Sequence, residues 1–138
     1  MTIPGIPDPA IPVGSWIVVT GVTGFIGSHV ADQALAAGYH VRGIVRDVEK
    51  AAWVDRYFES KYGPGRVELV EVADMAARHA FHQAVIGATG FIHVAHDMTF
   101  STDTKVAVSR AVRAVINALE ASASSPWRAI HRESFYFQ

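Results

Sequence analysis

Apolar residues in the first third of the chain alternate between a short β-branched run and a stretch of helical periodicity. Trp16–Thr20 is a valine-rich run that ends at a glycine turn, which predicts a buried strand. Ile26–Ala37 follows at helical spacing, and Gly38 stands where a helix C-cap glycine belongs. His40–Val45 then predicts a second strand. The apolar stripe of the helix between them comprises Ile26, Val30, Ala34 and Ala37.

The same alternation continues through the rest of the chain. It predicts a helix over Asp47–Tyr62, a strand over Arg66–Val72, a helix over Ala76–Ile86, a strand over Phe91–Ala95 and a helix over Thr104–Ser122. The expected buried stripes are Ala51, Val54, Phe58 and Tyr62 in the second helix, Ala77, Ala80, Phe81, Ala84 and Val85 in the third, and Val108, Val112, Val115 and Leu119 in the fourth.

Strands that alternate with helices pair in parallel through right-handed crossovers. The expected fold is therefore α/β, a Rossmann-like doubly wound parallel sheet with strand order 3-2-1-4. The predicted fourth strand, Phe91–Ala95, would be an open apolar edge. We expect a fifth strand from Arg128–Phe137, a second copy of the chain or a full-length relative to cover that edge.

Composition narrows the class of protein. The 138 residues carry a formal net charge of −1 and only 18% charged residues, which gives no basic surface for nucleic acid or anionic lipid. The chain has no cysteine, so disulfides and thiolate metal sites are excluded and a cytoplasmic location is expected. No apolar run reaches the roughly 18 residues of a membrane span.

The chain is expected to have three parts. Residues 1–13 contain four prolines, at Pro4, Pro7, Pro9 and Pro12, and predict an extended arm. Residues 14–125 hold the alternating elements and form an incomplete nucleotide-binding domain. Residues 126–138 form a tail of different character.

A glycine-rich loop joins the first predicted strand to the first predicted helix. Gly21 permits the tight turn, Gly24 lets the backbone approach a pyrophosphate, and Gly27 allows close packing of helix on strand. The alternative is an ordinary glycine turn, but the position between a strand and a helix favours dinucleotide binding. The candidate residues of this loop are Gly21, Thr23, Gly24, Phe25, Ile26 and Gly27.

The residues after the second strand bear on the choice of cofactor. Arg46 follows the strand directly and Lys50 lies nearby. Cations at this place suit the 2′-phosphate of NADP, so NADP is favoured over NAD. Asp47 is the counter-argument, because an inward carboxylate could bind a ribose 2′-hydroxyl and would make NAD a plausible cofactor. The other alternative is that Arg46 and Lys50 are solvated residues at a helix start.

Several segments together carry a resemblance to a known family. The chain resembles the extended short-chain dehydrogenases, in the branch of the dihydroflavonol reductases and the fungal aldehyde (carbonyl) reductases. The likeness covers roughly Pro12–Ser125. The matching segments are residues 12–27, residues 38–47, residues 72–75, residues 90–95 and the last helix to Leu119.

The resemblance implies roles for single residues. Gly21, Gly24, Phe25 and Ile26 would line the pyrophosphate and ribose, Arg46 would bind the 2′-phosphate, Asp74 would accept from the adenine amino group beside Met75, and Val94 and Ala95 would border the nicotinamide-side ribose. His96 and Asp97 stand where relatives commonly carry a small residue and a proline. This departure puts a larger ring and a charge beside the cofactor path, and His96 is a candidate contact.

The resemblance also implies catalytic residues that follow the fourth strand. They are a Ser or Thr after a fifth strand and, further on, a Tyr-x-x-x-Lys pair that protonates the reduced oxygen. In this region Ser134 lacks that context, and no lysine stands four residues after Tyr136. No catalytic residue is therefore assigned. The expected function is that of an NADP-binding fragment of a carbonyl or aldehyde reductase, inactive in carbonyl reduction by itself.

Two other functions stay open. The chain could be a non-catalytic binding or regulatory module, or an oligomer partner of a full-length relative. It could also be a small enzyme that uses His96 and Asp97, which cluster after a strand where such sheets place ligands. His79 and His82 have a metal-compatible helical spacing, but a solvated helix face is favoured and no metal site is predicted.

Overall fold

Four parallel strands form one sheet in the order β3-β2-β1-β4 in the computed structural model, which describes residues 6–96 and 101–124. The strands are β1 Trp16–Thr20, β2 His40–Val45, β3 Val67–Glu71 and β4 Ala88–Ile92. The helices are α1 Phe25–Ala36, α2 Val48–Tyr62 and α3 Thr104–Ser124. The predicted fold and strand order are confirmed.

The alternation of strand side chains divides the core into two layers. Val19 and Val41 face one layer, where they pack with the buried residues Leu35 of α1 and Phe58 of α2. Neighbouring strand residues point to the opposite face, because successive side chains of a strand alternate. The second layer contains Val18, Ile44, Phe81, Ala84, Ala118 and Ala121. The sheet therefore has an apolar layer on each face, as parallel sheets require.

The ends of α1 and α2 follow local sequence rules. Gly38 follows the C-cap residue Ala37 of α1, adopts φ +95°, and donates its N–H to Leu35 O at 3.0 Å, so the predicted glycine at the end of this helix is confirmed. Asp47 caps α2, and its Oδ1 accepts from the N–H of Lys50 at 3.1 Å. The predicted inner face of α2 is also confirmed, since Ala51, Val54 and Phe58 are buried.

The stripe predicted for α1 is partly wrong. Ile26 is 62% exposed, whereas Gly27, Ala31 and Leu35 are the buried residues of this helix. The buried line runs one position later because Gly27 lies against the glycine loop and fixes the helix rotation. Val30, Ala34 and Ala37 keep a partly buried place against the core.

The third predicted helix, Ala76–Ile86, is wrong as a helix. The segment is a series of turns whose hydrogen bonds mostly span three residues, as from Ala80 N to Ala77 O and from His82 N to His79 O. His79 adopts φ +58°, which interrupts a right-handed helix. The apolar periodicity still located the buried residues Phe81, Ala84 and Val85.

A partly buried arginine on β2 holds this turn segment against the sheet. One terminal nitrogen of Arg42, Nη1, donates to Ala84 O at 2.7 Å and to Ile86 O at 2.6 Å. Its Nε donates to Glu68 at 3.1 Å, and its guanidinium lies 5.5 Å from the ring centroid of Trp16. Backbone carbonyls that a helix would have satisfied internally are thus satisfied by a side chain.

We expect Arg42→Met to lower the free energy of unfolding by about 2–3 kcal/mol, because two carbonyls and Glu68 lose a charged donor. Urea denaturation measures this change. Arg56→Met is the matched control, since Arg56 is exposed on α2 and should change stability by less than about 0.5 kcal/mol. Equal effects of the two substitutions would contradict the role of Arg42.

The residues predicted to be buried in the last helix are wrong, because α3 turns a different face toward the sheet. Val108, Val112 and Leu119 are 54%, 51% and 41% exposed. The buried residues of α3 are Ala114, Asn117, Ala118 and Ala121. Asn117 decides this rotation, because its side-chain amide donates to Met75 O at 2.9 Å and to Ala77 O at 2.7 Å. Small alanines beside it bring α3 close to the sheet.

The fourth strand lies three residues earlier than predicted, at Ala88–Ile92 instead of Phe91–Ala95. The reason is a side chain of β1. Thr20 Oγ1 accepts hydrogen bonds from Val94 N and Ala95 N, so these two amides bond to a hydroxyl and do not continue the ladder.

No helix within residues 6–96 and 101–124 has the length and apolar character needed to cross a bilayer.

Candidate dinucleotide-binding site

The glycine loop leaves the carboxyl end of β1 and enters α1 through a tight turn. Gly21 adopts φ +74°, and the turn closes with a hydrogen bond from Gly24 N to Gly21 O of 3.0 Å. The N-cap residue of α1 is Gly24, which has no side chain that could cap the helix. The first N–H groups of a helix have no partner inside the helix, so they present donors and a positive dipole end at this exposed place. The first turn also carries no acidic residue.

The loop and the helix touch at Gly27. A Cβ atom on Gly27 would lie 1.9 Å from Gly21 O and 2.4 Å from Gly21 C. Only a residue without a side chain lets α1 start this close to the loop. Gly27 packs closely, as predicted, but its partner is the backbone of the loop and not the strand.

The remaining candidate residues of the loop are exposed. Thr23 and Gly24 are exposed, and the side chains of Phe25 and Ile26 are 82% and 62% exposed. The ring of Phe25 lies 4.7 Å from that of His29, one turn further along α1. The start of α1 therefore offers its backbone N–H groups together with an uncovered apolar surface.

The carboxyl end of β4 forms the second wall of the candidate site. Thr20 Oγ1 accepts from Val94 N at 2.9 Å and from Ala95 N at 3.0 Å. A Cβ atom on Gly21 would lie 3.2 Å from both Cα and N of Ala95, so the two backbones are in close contact. The structure thus brings the predicted residues Val94 and Ala95 beside the glycine loop.

His93 is the partly buried side chain of this wall. Its Nδ1 lies 3.0 Å from Thr20 Oγ1, and its ring centroid lies 6.2 Å and 6.4 Å from those of Phe81 and Phe91. Burial lowers the pKa of His93 below its ordinary value, and the nearby His96 lowers it further. His96 itself is exposed at the end of this segment.

Three charged residues follow β2: Asp47 caps α2, and Arg46 and Lys50 carry positive charge. Arg46 is exposed directly after β2, at the same sheet edge as the glycine loop, because Thr20 is level with Ile44. The Asp47 carboxylate caps α2, and its Oδ2 lies 3.8 Å from Lys50 Nζ. Oδ1 of Asp47 is used in the start of its own helix, and the Asp47 side chain remains 43% exposed.

The segment after β3 reaches the same edge. Asp74 Oδ1 accepts from Ala76 N at 3.0 Å and from Arg110 at 2.8 Å, and Met75 O accepts from Asn117. Asp74, a candidate adenine contact, is therefore already oriented by α3. The roles of Arg110 and Asn117 were missed by sequence reasoning, because both lie far along the chain in a helix whose rotation was predicted wrongly.

The role of Thr20 was missed as well, although a threonine at the end of a buried strand and before a glycine turn is a usable signal.

A Tyr-x-x-x-Lys pattern within α2 was also overlooked, because Tyr57 and Lys61 have this spacing. Their surroundings differ from a catalytic pair. Lys61 Nζ donates to Asp32 Oδ1 at 2.7 Å, and the phenol that shares this carboxylate is Tyr62, at 2.8 Å. This cluster fastens α2 to α1.

The family follows from this arrangement together with the sequence comparisons. A family model described as NAD dependent epimerase/dehydratase matches residues 17–137. The chain belongs to this family. It is 41% identical over 110 residues to ketoreductase nvfG of Aspergillus novofumigatus, covering 80% of this chain and 32% of the relative. It is 39% identical over 121 residues to aldehyde reductase 2 of Sporidiobolus salmonicolor, covering 88% and 35%. The resemblance to extended short-chain reductases is confirmed.

Solved structures agree with the family. Gre2 of Candida albicans in complex with NADPH superposes with a TM-score of 0.67 at 32% identity, covering 80% of this chain and 32% of that one. The chain spans about a third of the length of the curated relatives it matches.

Some predicted features lie outside the described residues. These are Asp97, Ser134, Tyr136 and the segment Arg128–Phe137 that was expected to add a strand. His79 and His82 are described, and their rings lie at an angle of 40° with centroids 4.4 Å apart on the exposed side of the turn segment. In the described part of the chain, no cluster of three or more histidines, cysteines or carboxylates could hold a metal ion.

Proposed function

We propose that the chain binds NADP at the carboxyl edge of its sheet, as the cofactor-binding part of a carbonyl or aldehyde reductase. The observation that carries the proposal is the contact of Gly27 with Gly21, which places the donors at the start of α1 against an open loop. The NADPH complex of Gre2 supports the same cofactor, and the aldehyde reductase among the relatives supports the class of enzyme.

The proposed cofactor runs along the ends of the strands. Its pyrophosphate would lie on the N–H groups at Phe25 and Ile26, with Thr23 and Gly24 beside them. Its 2′-phosphate would lie on Arg46 with Lys50. Its adenine would lie by Asp74 and Met75, and its nicotinamide-side ribose by Val94, Ala95 and His96. Bound NADPH would supply a hydride, and the residues of this chain would hold and orient it.

NADP is proposed over NAD because of the use that the chain makes of Asp47. An acidic residue that binds a ribose 2′-hydroxyl must present its carboxylate to the ribose. The Asp47 carboxylate instead accepts from Lys50 N and lies near Lys50 Nζ. Arg46 is exposed at the strand end, so its guanidinium is accessible to a phosphate.

Carbonyl reduction is proposed for the whole reductase, of which this chain supplies the cofactor cradle. We propose that the 138 residues bind the cofactor without reducing carbonyls by themselves. The Tyr57–Lys61 pair does not serve, because Lys61 is bound to Asp32 in the clamp between α1 and α2. A serine and a tyrosine–lysine pair would have to act from outside the described fold.

Calorimetric titration of the purified chain with NADPH and with NADH tests the proposal. We expect NADPH to bind at least about tenfold more tightly than NADH, because a charged hydrogen bond to the 2′-phosphate adds about 1.5–3 kcal/mol. Absence of binding to either nucleotide would overturn the cofactor assignment. NADPH-dependent turnover of an aldehyde by the chain alone would overturn only the claim that it lacks catalysis.

A further inference from the structure

The hydroxyl group of Thr20 is fully used in hydrogen bonds. A threonine hydroxyl offers one hydrogen and two lone pairs. Val94 N and Ala95 N donate to Oγ1 at 2.9 Å and 3.0 Å, and two backbone amides can only donate. The third contact of Oγ1, at 3.0 Å, is with Nδ1 of His93. The hydroxyl hydrogen must therefore point to His93 Nδ1, which accepts it.

This requirement fixes the state of His93. An accepting Nδ1 carries no hydrogen, so the neutral ring holds its proton on Nε2. A doubly protonated ring would place an Nδ1–H group against a hydroxyl whose lone pairs are already taken by Val94 and Ala95. One of the three hydrogen bonds would then have to break. The contact between β1 and the end of β4 is consistent only with a neutral imidazole.

Among the described residues, no carboxylate acts on His93 to stabilise a positive ring. The rings of Phe81 and Phe91 flank it, and Thr20 is its hydrogen-bond partner. Among the described residues, the titratable group that acts on His93 is His96, which would add a like charge. Protonation is therefore opposed by burial and by a neighbour, in agreement with the lowered pKa of His93.

We propose that His93 is a positioning residue whose neutral ring holds the Thr20 hydroxyl so that Val94 and Ala95 stay against Gly21, and that its protonation loosens this wall and weakens dinucleotide binding. The proposal rests on the proposed function for its effect on the nucleotide. Its structural half, that a neutral His93 holds the Thr20 hydroxyl, depends only on the three hydrogen bonds of Thr20 Oγ1. The closeness of Gly21 and Ala95 transmits the change, because a shift of Ala95 leaves the turn of the glycine loop without its support.

Two substitutions separate the acceptor from the charge. His93→Asn keeps an acceptor oxygen near the position of Nδ1 and cannot become protonated. His93→Phe keeps the ring but removes the acceptor. At pH 7.5 we expect His93→Asn to bind NADPH within about threefold of wild type and His93→Phe to bind about tenfold more weakly, which is the effect of one lost hydrogen bond in a buried network. Circular dichroism verifies that both variants are folded.

The dependence on pH is the decisive measurement. Between pH 7.5 and pH 5.5 we expect the ratio of the NADPH dissociation constants of wild type and His93→Asn to rise about threefold, because the lowered pKa of His93 leaves part of the rings neutral at pH 5.5. Titration of the 2′-phosphate affects both proteins equally, so it cancels in the ratio. His82→Asn is the matched control, because His82 is exposed and its removal should leave the profile of wild type unchanged. Parallel profiles for wild type and His93→Asn would overturn the proposal.

Nitrogen NMR of the histidine side chains tests the structural half without any nucleotide. We expect the unprotonated nitrogen of His93 to be Nδ1 at pH 7.5. We also expect the protection of the Val94 and Ala95 amides against hydrogen exchange, corrected for intrinsic rates, to fall at pH 5.5 in wild type but not in His93→Asn. A protonated Nδ1 at pH 7.5 would overturn the proposal. Absence of NADPH binding would instead overturn the proposed function, and the NMR results would still decide the role of His93.

Discussion

Gly27→Ala is expected to lower the free energy of unfolding by about 2–3 kcal/mol and to abolish measurable nucleotide binding. The new methyl group would meet Gly21 O at 1.9 Å, which is a backbone atom and cannot rotate away. Either α1 moves off the loop or the turn at Gly21 opens. The preference of alanine for helices returns only about 1 kcal/mol. Urea denaturation gives the stability, and calorimetry with NADPH gives the binding.

Gly24→Ala is the matched control, because it changes the same loop without the same clash. Gly24 has φ −88° and ψ 170°, an extended conformation that any residue adopts, and a Cβ atom there would lie 3.3 Å from Gly21 O. We expect stability to stay within about 1 kcal/mol of wild type while NADPH affinity falls more than about tenfold. The methyl group would stand where the phosphate approaches the helix start. Equal stability of the two variants would contradict the packing role of Gly27.

The parts of the fold that sequence predicted correctly are those set by neighbouring residues. The turn at Gly21, the cap at Gly38 and the inner face of α2 depend on local periodicity and on backbone preferences of glycine. The strand order then followed from the alternation of strands and helices, because right-handed crossovers leave few other arrangements. The glycine loop of the candidate site was predicted for the same reason.

The errors occurred where a distant side chain replaces a local hydrogen bond. Arg42 satisfies the carbonyls of Ala84 and Ile86, so residues 76–86 bury their apolar side chains without forming a helix. Thr20 takes the amides of Val94 and Ala95 and ends β4 early. Asn117 turns the alanine face of α3 inward. Periodicity reports which residues are apolar and carries no information about these partners.

In the candidate site, too, local features could be predicted from sequence and contacts between distant residues could not. Asp47 was ambiguous from sequence, because an aspartate before a helix can cap the helix or bind a ribose. The hydrogen bond from Lys50 N to its Oδ1 supports the cap. Asp74 could be placed at the strand end from sequence, but its ion pair with Arg110 depends on the rotation of α3.

Arg46→Ala is expected to weaken NADPH binding by about 10- to 100-fold and to leave NADH binding within about threefold. Loss of a charged hydrogen bond to a phosphate removes about 1.5–3 kcal/mol, and NADH has no 2′-phosphate to lose it from. Lys50→Ala should weaken NADPH binding less, because Lys50 Nζ already lies 3.8 Å from the Asp47 carboxylate. Calorimetric titration of each variant with both nucleotides measures these differences.

Arg56→Ala provides the matched control for Arg46→Ala. It removes one exposed arginine from the body of α2, away from the strand end, so a loss of general positive charge would appear there too. If Arg56→Ala and Arg46→Ala weakened NADPH equally, the preference would come from net charge and not from a phosphate site. If Arg46→Ala weakened NADH as strongly as NADPH, Arg46 would bind a part common to both nucleotides. Selective loss of NADPH at Arg46 alone would place the 2′-phosphate at the end of β2, beside the helix that Asp47 caps.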